Sequence, residues 1–106
     1  MQPVFRWSGE YFGFVGHGGY LFDAAGSFLG WVTEDHRVWR TNGTFLGELV
    51  DGAYVLHHAG AATPPAHPRR AQPAAPQVPA RHANRSAKGA RAGYADALDE
   101  FRSGSH

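Results

Sequence analysis

At 106 residues the chain has room for one domain around one modest core, and 42% hydrophobic with only 18% charged residues excludes a highly charged, wholly disordered polymer. The absence of cysteine excludes a disulfide framework and a thiolate zinc site. No apolar run approaches the ~20 residues of a membrane helix, and the first residues lack the charge–apolar–cleavage order of a secretory signal, so the expected location is cytoplasmic.

The net charge of +1 is a sum of unequal parts. Residues 1–60 carry Arg6, Arg37 and Arg40 against Glu10, Asp23, Glu34, Asp35, Glu48 and Asp51, a balance of −3. Residues 61–93 carry Arg69, Arg70, Arg81, Arg85, Lys88 and Arg91 and no acid, a balance of +6. Residues 94–106 carry Arg102 against Asp96, Asp99 and Glu100, a balance of −2. Twelve of the fourteen aromatics lie between 5 and 54, and none lies between 55 and 93. Four segments follow. Residues 1–60 form the repeat β domain. Residues 61–88 are a disordered, Pro/Ala-rich basic linker, extended and partly polyproline. Residues 89–101 return to close or cap the domain, and 102–106 form a disordered tail.

The first sixty residues repeat every 17 positions. Gly9, Gly26 and Gly43 keep this spacing, as do Gly13, Gly30 and Gly47, within GEYFGFV, GSFLGWV and GTFLGEL. Val4-Phe5, Leu21-Phe22 and Val38-Trp39 precede the first glycine of each unit, and Val55-Leu56 with Gly60 begins a fourth. Each unit reads as two short strands joined by a polar turn, most clearly at Asn42-Gly43. Further turns at His17-Gly18-Gly19, Glu34-Asp35-His36 and Asp51-Gly52 separate the units. Two or more glycines per unit would each cost about 1 kcal/mol in a helix, so strands are the reading. Four hairpins around an axis give a small all-β body.

Pro64 stands where the second glycine of the fourth unit belongs. The spacing returns at Gly89 and Gly93, which aligns Tyr94 with Phe14 and Trp31. The linker is thus expected to interrupt the fourth repeat, with residues near 89–98 supplying its missing strand. The other reading of the same segment is a short amphipathic helix over Ala95–Phe101, docked by Leu98 and Phe101.

With GEYFGFV, YLFDAAGSFLGWV, VWRTNGTFLGELV and the terminal GYADALDEF, the chain resembles the 4-fold beta flower proteins, a mostly bacterial, uncharacterised family. The resemblance implies four two-stranded repeats and a bacterial source. It implies no activity, no cofactor and no catalytic residue.

Five residues after the first glycine of each unit stand Phe14, Trp31, Glu48 and, by the alignment above, Tyr94. Facing one another, three rings and one carboxylate would suit a cationic group. The competing expectation is that the rings are core, with Glu48 in solvent or paired with Arg40, and that the linker's own arginines are the cations at hand. Three residues before the glycine, Arg6, Asp23, Arg40 and His57 alternate in a way that suggests ion pairs around a rim, worth ~0–1 kcal/mol each. Seven histidines show no ligand spacing, and adjacent His57 and His58 point to opposite faces of a strand. No metal and no cofactor are expected, and no serine or threonine sits in a nucleophile frame.

The cations Arg69, Arg70, Arg81, Arg85, Lys88 and Arg91 are candidates for an anionic partner, although no aromatic among them offers base stacking. Two PxxP matches, Pro65–Pro68 and Pro76–Pro79, suit an aromatic groove. The leading expectation is a non-catalytic binding or interaction module whose aromatic surface or axial pocket takes a protein or a small cationic ligand. Nucleic acid or an anionic surface held by residues 67–91 is the alternative, and an unrecognised hydrolase comes third. A core this small is also a candidate for self-association.

Overall fold

Short runs of alternating side chains, each ended by a turn residue, fold into eight strands. The computed structural model describes residues 2–60, 63–89 and 91–101; the expected tail at 102–106 lies outside them. The strands are β1 (Gln2–Phe5), β2 (Tyr11–Val15), β3 (Tyr20–Asp23), β4 (Phe28–Val32), β5 (Arg37–Arg40), β6 (Phe45–Val50), β7 (Tyr54–His58) and β8 (Tyr94–Asp96). They form one antiparallel sheet in sequence order, curled into a half-barrel. Phe5 N donates to Ala53 O at 2.8 Å and draws β1 towards the turn before β7. No helix of the described residues is long and apolar enough to cross a membrane.

The register shifts at 17-residue intervals, between Val4 and Phe5, Leu21 and Phe22, and Val38 and Trp39. At each shift the partner strand carries one extra residue, Phe12, Leu29 or Leu46. Such bulges bend and twist a sheet, which curls it. The second glycine of the motif answers to the next strand, which approaches it closely. A Cβ on Gly30 would stand 1.8 Å from Trp39 O, and one on Gly13 2.1 Å from Phe22 O.

The curl gives the sheet two apolar faces. Val4, Leu21, Val38 and Val55, spaced by 17, join Phe12, Leu46 and Leu98 in the inner core. Leu98, fully buried, belongs to the 3₁₀ turn Ala97–Phe101 that follows β8. The two readings of the returning segment are therefore both present in part: three residues pair as a strand with β7, and the next five form a short turn that inserts Leu98 into the core. The outer face carries the cross-strand pairs Phe5–Tyr11, Phe14–Phe22, Phe22–Phe28, Tyr20–Trp31, Trp31–Trp39 and Trp39–Phe45.

Candidate functional site: an aromatic face and the basic arm across it

The outer rings would present a large apolar surface to water, yet Phe5, Phe14 and Trp31 are almost wholly buried. Part of their cover is the arm, residues 63–89, which has neither helix nor strand. His67 lies against Trp31 and Trp39, with ring centroids 5.6 and 5.2 Å away. Arg70 stands over Trp31 at 5.4 Å. Pro73 and Pro76 line a cleft with Tyr20 and Phe22. Farther on, Arg81 lies over Tyr11, Arg85 over Phe5 at 4.1 Å and Lys88 over Tyr54, while His82 approaches both Phe5 and Tyr11. The arm therefore crosses the face in reverse order, from β5 back to β1.

Burial along residues 63–80 of the arm has a three-residue period, and 81–89 are exposed throughout. Pro64, His67, Arg70, Pro73, Pro76 and Pro79 are half-buried, and the residues between them are exposed. Three residues per turn is the repeat of a polyproline helix, whose backbone makes no internal hydrogen bonds. The sequence signal was available: prolines at 73, 76 and 79 share a phase with His67 and Arg70. The PxxP pair at Pro65 and Pro68 lies in another phase, and both residues are exposed.

The first glycine of the motif receives the arm. His67 N donates to Gly43 O at 2.8 Å, and Arg85 N donates to Gly9 O at 2.7 Å. Gly9, Gly26 and Gly43 share φ values of 94°, 90° and 89°, which disfavour any side chain. A Cβ would also collide with the arm, 2.2 Å from His67 O at Gly43. Asn84 Oδ1 accepts from Tyr11 N at 3.0 Å, and Trp7 Nε1 donates to Gly89 O at 2.8 Å. Burial pushes the Tyr11 phenol above its ordinary pKa, with the Arg81 charge opposing.

Fixing backbone costs ~1–2 kcal/mol per residue, and a cation over a ring returns ~0.5–2 kcal/mol. Each ring contact thus offsets the ordering of about one residue of the arm.

The four candidate pocket residues are not brought together. Phe14 stacks on Phe22, Trp31 meets His67 and Arg70, and Tyr94 packs on His58 and under Arg91. Glu48 is exposed, across from Arg37 and Leu56. The register explains the divergence. Asp96 pairs with Leu56 as Phe45 pairs with Trp39, so Tyr94 occupies a different place from Phe14 and Trp31. Of the six arm cations, Arg70, Arg81, Arg85, Lys88 and Arg91 stand over rings. Arg69 lines a cleft with Arg70, Ser27 and Thr41.

The expected rim pairs take another form. Arg6, nearly buried, donates to Leu98 O at 3.1 Å and meets Asp99 and Glu10, each at 3.4 Å. Arg40 binds Glu100, while Asp23 Oδ1 accepts from Ala25 N and Ser27 N in its own turn. The two arginines hold the returning segment rather than neighbouring rim residues. Sequence reasoning missed this because the acids lie beyond the arm. His57 lies against Phe45 and His58 against Tyr94. Among the described residues no group of three or more His, Asp or Glu is placed to hold a metal ion.

Fold and site together define a class: an all-β meander whose outer aromatic face carries a basic, extended arm of its own chain. Comparison of the chain with protein-family models, curated proteins and solved structures gave no match.

Proposed function

We propose that this chain is a non-catalytic binding module of the 4-fold beta flower kind. In this reading four hairpin units are completed by residues 94–96, and the aromatic outer face binds basic, proline-containing polypeptide. The observation that carries the reading is the line of Arg70, Arg81, Arg85 and Lys88 over Trp31, Tyr11, Phe5 and Tyr54. Ring quadrupoles attract cations, and prolines pack on rings at little entropic cost. The test is acrylamide quenching of tryptophan fluorescence in a variant with these four cations replaced by glutamine. Increased quenching supports the reading, and unchanged quenching sinks it.

A second reading is favoured by one observation: Arg69 and Arg70 line the same cleft beside Ser27 and Thr41, an arrangement suited to an anionic group. It predicts affinity for an anionic polymer that falls steeply with salt and is lost on Arg69→Gln.

A further inference from the structure

We infer that the outer face is a receptor for a separate polyproline-type peptide bearing arginine, and that residues 64–79 are a tethered internal competitor for it. The inference rests on the reading above, that the face binds basic, proline-containing chain.

The indole of Trp31 indicates what an occupant would supply. Trp31 is fully buried, and its Nε1 has no hydrogen-bond acceptor among the described residues. The other two indoles are satisfied: Trp7 donates to Gly89 O, and Trp39 donates to Thr33 Oγ1 at 3.1 Å. A buried N–H without an acceptor is unfavourable, and the arm crosses this ring without supplying one. Polyproline-type chain is rich in free carbonyls, because its own backbone uses none of them. The arm is anchored at both ends, by β7 and β8, so its path over Trp31 is a compromise. A peptide free at both ends can slide until a carbonyl accepts the indole proton.

The adjoining surface fixes the chemistry of the occupant. A cleft of about 610 Å³ opens between the arm and the β4–β5 turn, walled by Trp39, His67, Glu34, Asp35, Arg37 and Arg70, with Asp35 paired to Arg37 at 3.6 Å and Glu34 the carboxylate left for an occupant's arginine. Both acids are exposed. A ligand with an arginine three residues from a ring-packing proline can set the proline on the rings and the arginine towards Glu34 in the adjoining cleft. The arm displays the same phase with Pro64, His67, Arg70 and Pro73.

The internal copy competes at the effective millimolar concentration of a short tether, so a peptide in trans succeeds only by binding better or when the arm is weakened. The probe is a synthetic peptide with the sequence of residues 63–79, TPPAHPRRAQPAAPQVP. It is titrated into the full chain and into the full chain carrying His67→Ala with Arg70→Ala, with quenching and the Trp31 Nε1–H resonance as readouts. The expected result is binding on the order of ten-fold tighter to the variant, with a shift of that resonance. Adding Trp31→Phe, which keeps a ring and removes the N–H, is expected to weaken the probe several-fold. Equal affinity for wild type and variant would show that the arm is no competitor and overturn the inference. It is also overturned by binding that leaves the Trp31 resonance unmoved, or by no binding to a variant whose tryptophans have become accessible. If the double substitution leaves the tryptophans as shielded as before, the underlying reading of the face has failed.

Discussion

Arg40 and Glu100, sixty positions apart, meet in a two-bond fork, with Nε to Oε2 and Nη2 to Oε1 both at 2.7 Å. Hydrogen bonding to Glu100 raises the Arg40 pKa above its ordinary value, against the opposing effect of burial. The fork fastens the last described turn to β5. Both side chains are about a third exposed, so screening limits what the pair contributes. A double-mutant cycle with Arg40→Gln and Glu100→Gln is expected to give a coupling of ~0.5–1 kcal/mol that shrinks with added salt. A coupling near zero at low salt would remove the fork from the account of how the segment is held.

Leu98 is the larger contribution. It is fully buried among Val4, Leu21, Val38 and Val55. Leu98→Ala leaves a cavity in the inner core and should cost ~2–4 kcal/mol, a fall of roughly 10 °C or more in the thermal midpoint. Calorimetry decides this. An unchanged midpoint would mean that the returning segment is not part of the fold.

Gly43 and Gly52 separate backbone strain from arm docking. Both have positive φ, 89° and 69°, but a Cβ at Gly52 meets open space, whereas at Gly43 it collides with His67 O. Gly52→Ala should cost ~1–2 kcal/mol and leave tryptophan quenching unchanged. Gly43→Ala should cost at least as much and also expose Trp39. Equal quenching in the two variants would count against docking at Gly43.

Asp96 introduces a pH dependence of defined sign. Burial raises its pKa, opposed by hydrogen bonds from Trp7 N at 2.8 Å and Leu98 N at 3.0 Å; Asp99 adds to the rise and Arg6 opposes it. The folded protein therefore holds this proton more tightly than the unfolded chain. Stability contributed here is greatest with the carboxyl protonated and falls as pH rises from the ordinary carboxylate value through the raised one. Asp96→Asn should flatten that portion of a stability profile measured between about pH 3 and 7. It should also lower stability by ~1–3 kcal/mol, since the two N–H groups bond different carboxylate oxygens, Oδ2 and Oδ1, and an amide has one oxygen in their place. A variant profile parallel to that of wild type would contradict the assignment.

Much of the sheet was legible in advance, because its signals are local. Val4, Leu21, Val38 and Val55 recur at the spacing of the glycines, and Asn42 and Asp51 stand where the chain turns. The candidate pocket was not legible. Aligning Gly89 and Gly93 with the earlier glycine pairs put Tyr94 beside Phe14 and Trp31 in the pattern, but glycine spacing does not set where a returning strand registers. That is set by the burial of Leu98 and by the two N–H groups that Asp96 accepts from. The occupants of the aromatic face were legible in kind, since the arm's arginines were the nearest cations, but the stations they take were not.

By itself the sequence determined an all-β chain with a 17-residue pattern, a charge division of −3, +6 and −2, and an arm without Phe, Trp or Tyr. These follow from alternation, turn chemistry and composition, which act over a few neighbouring residues. Only the tertiary structure decided that the basic arm lies across the outer rings, with a three-residue phase over residues 64–79, and that Arg6 and Arg40 grip acids from the far end. Those pairings join residues separated by most of the chain. They depend on the curl of the sheet and on the shape of the surface it offers, which no local pattern encodes.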